Sequence, residues 1–155
     1  MKYLAIKIFW FTVNPVRKFY WFVFRPHTRG VKCVIENNEK FLFIKLNYAH
    51  HKWTIPGGGV KKKESFLDAA IREVKEETGI TVNNLVYLGF YKTNREYKED
   101  TVEIYWANSD TIEIKIDPLE IERTEWFKRS ELPENHSQSV DKIFKIYDEY
   151  KSRKN

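Results

Sequence analysis

Residues 57–80, GGGVKKKESFLDAAIREVKEETGI, set a glycine cluster directly ahead of a segment with one strongly acidic helical face. Ser65 with Asp68 reads as a capping pair and Gly79 as a C-terminal cap, so the spacing predicts a helix over 66–78. At about 100° per residue, Glu73, Glu76 and Glu77 share an arc of roughly 100°. Leu67, Ala70, Ile71 and Val74 occupy the neighbouring arc and face a core. Like charges three and four residues apart cost a helix roughly 0.2–0.5 kcal/mol per pair. Arg72 stands one turn before Glu76 and pairs with it, whereas Lys75 points away. A divalent cation resolves the remaining repulsion, and hard carboxylate oxygens at this density suit Mg2+ or Mn2+. The glycines permit close backbone approach, which adds the Gly58 or Gly59 carbonyl as a candidate metal ligand. The alternative is a solvated acidic face with no ion.

The rest of the chain supplies strands and a second helix. RGVKCVIE and KFLFIKL read as a β-hairpin turned at Asn37 and Asn38. LVYLGFYK, TVEIYWAN and EIERTEWF read as further strands, and the alternating TIEIKI as one more. Val140, Ile143, Phe144 and Tyr147 recur at helical spacing near the C-terminus. Strands, a helix, more strands and a closing helix predict one mixed α+β domain over 29–155.

Residues 1–28 form a separate arm. The first 35 residues carry seven Lys or Arg and no acid, while the remainder holds 20 bases against 22 acids, so the net charge of +5 belongs to the N-terminus. Nine of the chain's 25 aromatic residues also lie in the first 26. Lys7 and the NPVRK break interrupt the apolar run short of a membrane span, and no small-residue cleavage site follows it. Two readings stand: packing on the domain or across a homodimer, and peripheral contact with a membrane surface. A single cysteine, Cys33, excludes an internal disulfide and suits a cytoplasmic, reducing compartment.

From Gly58 the chain reads Gly, five residues, Glu64, seven residues, then Arg72-Glu73-Val74-Lys75-Glu76-Glu77-Thr78-Gly79-Ile80. This resembles the Nudix box, GX5EX7REUXEEXGU with U apolar, at every specified position. Average residue usage makes a chance match on the order of one in a million for a chain of this length. The resemblance implies an α/β/α sandwich around a mixed sheet, with the box as loop-helix-loop. It implies cleavage of a diphosphate bond in a nucleoside diphosphate linked to a further group, with Mg2+ or Mn2+ as cofactor. Carried over by position, Glu73, Glu76 and Glu77 hold the metal with the Gly58 or Gly59 carbonyl, Arg72 fixes their geometry, and Glu64 orients them or serves as an outer metal ligand. Glu120 and Glu122 are candidates outside the box for a further metal ligand or the general base. Where relatives often carry an acidic-Pro-Gly turn, this chain has Lys61-Lys62-Lys63.

For the nucleotide, Lys45, Trp53, Arg95 and Tyr97 are candidate binding residues, with Tyr48, His50, His51 and Tyr91 in the same segments. ADP-ribose or a nucleoside triphosphate is the leading substrate. The rivals are dinucleoside polyphosphate hydrolysis, RNA 5′-end hydrolysis, for which nucleic acid is a partner only as a phosphorylated end, and a non-catalytic nucleotide-binding module.

Overall fold

The computed structural model describes residues 19, 22–24, 26–47, 52–94 and 97–154. Strands β1 (His27–Asn37) and β2 (Lys40–Leu46) form the expected hairpin. Its turn lies one residue later than the sequence suggests. Asn38 and Glu39 adopt the positive φ angles, 46° and 62°, while Asn37 stays in the ladder opposite Lys40 and donates its side-chain amide to the Ser109 carbonyl. The type I′ turn formed here needs positive φ at both central positions, and the anchored Asn37 cannot supply one of them.

The two hairpin strands pair only at that end, through Glu36↔Phe41 and Asn37↔Lys40, and then part. β2 continues against β3 (Trp53–Thr54) and β6 (Ile121–Lys128). β1 instead pairs in parallel with β5 (Glu99–Asn108), which pairs antiparallel with β4 (Val86–Thr93). The edge of β1 released by β2 is taken by the glycine loop. Cys33 N donates to Pro56 O at 2.8 Å, Val31 N to Gly58 O at 2.9 Å, and Val60 N to Arg29 O at 2.9 Å. The parting of β1 and β2 thus seats the loop that opens the box.

Helix α1 (Phe66–Thr78) covers one face of the sheet and α2 (Gln138–Lys154) the other. Alternating residues of β1 feed both layers: Val31, Cys33 and Ile35 pack with Ala70 and Val74 of α1, and Val34 packs with Val140, Ile143 and Phe144 of α2. The result is the expected α/β/α sandwich around a mixed sheet. The α1 caps form as the sequence implies, with Ser65 Oγ accepting from Asp68 N at 3.0 Å and Gly79 at φ 74°.

Thr111–Ile116 is not a strand. Ile114 packs on the α1 core, Ile112 stays exposed, and Lys115 N donates to Thr78 O at 2.9 Å. The alternation reflects one isoleucine docked at the end of α1 rather than a sheet ladder. Phe19 and residues 22–24 are helical and exposed. The readings placed on residues 1–18 and on Tyr48, His50, His51 and Arg95 fall outside the described residues.

Candidate active site

The glycine loop and α1 meet at Glu77. This side chain is 4% exposed and accepts a hydrogen bond from Gly57 N at 2.7 Å through Oε2. Burial pushes its carboxyl up to about 7, against the pull of the Lys32 ammonium and the Gly57 N–H. Lys32 is itself enclosed, and burial holds it below the usual lysine range. Its Nζ donates to Ile55 O at 2.7 Å and Gly57 O at 3.0 Å. A residue of β1 therefore fixes the loop and supplies the positive charge nearest the buried glutamate. Only glycine fits at position 57: φ is 135°, and a Cβ there would lie 2.2 Å from the Val31 carbonyl oxygen.

Arg72 is the hub of the remaining box residues. Its Nε and Nη2 donate to the two oxygens of Glu64 at 2.7 and 2.9 Å, a bidentate grip. Its Nη1 reaches Glu73 Oε1 at 2.7 Å and Glu76 Oε2 at 3.0 Å, and Nη2 also reaches Gly59 O at 3.0 Å. Glu64 accepts a further bond from Lys61 N at 2.7 Å. The Arg72 hydrogen bonds, with that N–H, pull the Glu64 carboxyl down to about 2. Glu73 lies over Gly58, where a Cβ would come within 2.7 Å of its carboxylate.

The donor chemistry fits a hard divalent cation. Arg72 occupies one oxygen each of Glu73 and Glu76, and Gly57 N occupies one of Glu77. Glu73 and Glu77 each keep the other oxygen for an ion, while Glu76 Oε1 lies 3.9 Å from Lys61 Nζ, a long pair that an ion would displace. The Gly58 carbonyl accepts from Val31 N and the Gly59 carbonyl from Arg72, and each retains a second lone pair. Among the described residues no three such side chains already converge on one point; Arg72 bridges Glu73 and Glu76. A bound divalent ion neutralises diphosphate oxygens and acidifies a water. The chain's own part is to hold the acidic oxygens on one helix face and tether them to the glycine loop.

Glu120 joins this cluster from outside the box. It lies in the turn just before β6 with its side chain exposed, and its carboxyl is raised by partial burial and by the negative charges of Asp117, Glu73 and Glu76. Asn47 secures that turn. Its backbone N donates to Glu120 O at 2.9 Å, and its side-chain amide to Pro118 O at 3.0 Å and Leu119 O at 3.2 Å. Glu122 is exposed on β6, and Arg123 pairs with Glu125 at 2.8 Å.

The sequence profile of the NUDIX domain matches residues 26–147. The chain belongs to the Nudix family. YtkD of Bacillus subtilis, which carries the name of an 8-oxo-dGTP diphosphatase, is 41% identical over 87 residues, 56% of this chain and 54% of YtkD. The asymmetrical bis(5′-nucleosyl)-tetraphosphatase of Rattus norvegicus is 33% identical over 87 residues, 54% of this chain and 58% of the rat protein. The chain thus spans little more than half the length of these relatives. The crystal structure of a MutT Nudix hydrolase from Burkholderia pseudomallei superposes with a TM-score of 0.71 at 23% identity, covering 77% of this chain and 97% of the other.

Of the nucleotide-binding candidates, this Nudix domain places Trp53 in the core. Its ring is 6% exposed, sits edge-on to Phe127 at 5.2 Å and lies beneath Lys45 Nζ at 4.8 Å. Tyr97 is exposed at φ 65°, with its ring edge-to-face with Phe22 at 5.1 Å. Tyr91 lines a cleft of about 600 Å3 beside the glycine loop, with Gly58, Gly59 and Lys61 in the same wall. Sequence reasoning missed Lys32, counted only among the bases of the first 35 residues, and Asn47. No local pattern marks either, because each acts on a segment distant in the chain.

Proposed function

We propose that this Nudix domain is a divalent-metal-dependent pyrophosphohydrolase of nucleotides. The observation that carries the reading is the complete set of box carboxylates, tied by Arg72 and set on the glycine loop beside an open cleft. Glu73, Glu76 and Glu77 hold the ion, and Glu120 or Glu73 takes the proton of the attacking water. The placement of Glu120 close enough to Glu73 and Glu76 for their charges to act on its carboxyl supports the base role. ADP-ribose and nucleoside triphosphates lead the substrates, with support for the latter from the name borne by YtkD. Dinucleoside polyphosphates follow, supported by the rat tetraphosphatase.

The test is a screen with Mg2+ over ADP-ribose, nucleoside triphosphates, dinucleoside polyphosphates, nucleoside diphosphate sugars and triphosphorylated RNA. Turnover that disappears with chelator supports the proposal; no turnover on any substrate supports a binding module instead.

A second reading concerns the arm. Phe19, Phe22 and Val23 are 70%, 54% and 53% exposed, and they stand beside Lys18 and Arg25 in the sequence. This pairing of exposed apolar and basic residues supports contact with an anionic bilayer. Flotation with anionic but not neutral vesicles is the expected result, and no flotation with either removes it.

A further inference from the structure

We infer that Lys61 and Lys62 form a phosphate-binding rail that selects substrates with more phosphate groups than the scissile pair. The inference rests on the proposed hydrolase for its biological meaning and names the substrate class of that same site.

The cleft beside the glycine loop is strongly cationic. Its walls include Arg29, Lys32, Lys61, Lys62 and Lys98 against one acid, Asp100. Three of these cations already have work to do. Lys32 is spent on the Ile55 and Gly57 carbonyls. Arg29 donates to the carbonyls of Lys61 and Glu64 at 3.3 and 3.1 Å and lies over the Phe66 ring. Lys98 stands 3.5 Å from Asp100. Arg29 thus shapes the lysine loop; of the two remaining cleft-wall ammonium groups, Lys61 makes only a long, exposed ion pair with Glu76, which a phosphate can replace.

Their positions suit a polyphosphate. The Lys61 side chain is 64% exposed, and its Nζ lies 3.9 Å from Glu76 Oε1, beside the carboxylates proposed to hold the metal. Lys62 is exposed and has no ion pair or hydrogen bond among the described residues. A diphosphate bound at the carboxylates has its charge met there by the ion. Each additional phosphate extends along the cleft and needs another cation. Lysine supplies a compact charge on a flexible stem and adapts to chain position. Lys63, at φ 67°, turns the loop and is not part of the cleft wall. The basic triplet therefore divides into two lysines that face the cleft and one that does not.

Calorimetry with methylene-bridged diphosphate and triphosphate analogues of adenosine tests this in Mg2+ buffer. The P–C–P bridges resist hydrolysis, so only binding is read, and Mg2+ saturating for both analogues keeps their different chelation out of the ratio. The wild-type chain is expected to bind the triphosphate analogue at least about tenfold more tightly than the diphosphate, the scale of one charge-assisted hydrogen bond. K61S/K62S is expected to narrow that ratio to about twofold with an unchanged thermal midpoint, while K63S retains it. A wild type without the preference, a K61S/K62S protein that keeps it, or a K63S protein that loses it equally overturns the assignment. Preference without turnover in the substrate screen defeats the hydrolase and leaves the rail standing. Turnover without preference does the reverse.

Discussion

Arg72 holds both oxygens of Glu64, eight residues earlier, while the same guanidinium reaches Glu73 and Glu76. One cation thereby locks the loop before α1 to the acidic face of the helix. The Glu64 carboxyl ionises at about 2 in the folded chain against an ordinary value of 4.5. Between those values the unfolded chain binds more protons, so the stability from this contact is complete above 4.5 and is lost as pH falls through about 2. Urea midpoints of wild type and Glu64→Gln measured from pH 5 to about 2 should therefore converge as the pH falls. A constant offset across that range would contradict the assignment.

Gly57 and Gly58 should fail in different ways. Gly57→Ala drives a Cβ into the Val31 carbonyl at a positive φ, so it should destabilise the fold by at least about 1–3 kcal/mol. Gly58→Ala presses on the Glu73 carboxylate, a side chain that can shift. It should keep a near-native thermal midpoint and lose turnover. Thermal melts paired with kcat separate the two.

Glu77→Gln keeps an acceptor for Gly57 N and removes a buried charge. The fold should stay intact, although Lys32 loses the nearest opposite charge. Metal-dependent turnover should drop by roughly 10^2–10^3-fold, the scale of losing one charge-stabilising group. Wild-type rates in the purified variant would remove Glu77 from the metal site.

Asn47→Ala should release the turn that carries Glu120, since it deletes both side-chain hydrogen bonds to Pro118 and Leu119. We expect kcat to fall about 10–100-fold, as for other residues that orient a catalytic group, with little change in KM. Glu120→Gln should lower kcat as well, and the double variant should add little to that loss if Asn47 acts through Glu120.

Much of the site is legible in the sequence because it is local. Ser65, Arg72, the glutamates and Gly79 mark α1 and its acidic face by spacing alone, and the four apolar positions of α2 are those the structure buries. What spacing does not carry is contact between distant segments. Lys32 meets the loop at Ile55 and Gly57, and Asn47 meets the turn at 118–120; in both cases β-strand geometry makes the introduction. The same limit explains TIEIKI, whose alternation looks like a strand until the end of α1 is seen to take Ile114 and the Lys115 N–H. Trp53 reads from the sequence as a packed residue ahead of a base platform, and β3 and Phe127 hold it in the core.

The account stands on ion capture by the α1 carboxylates. Titration of Mn2+ into the full chain, followed by the paramagnetic resonance of the free ion, reads that capture without any substrate. Saturable loss of the free-ion signal with wild type, and none with Glu73→Gln/Glu77→Gln of equal thermal midpoint, is the predicted result. Equal free-ion signals for the two proteins would contradict it.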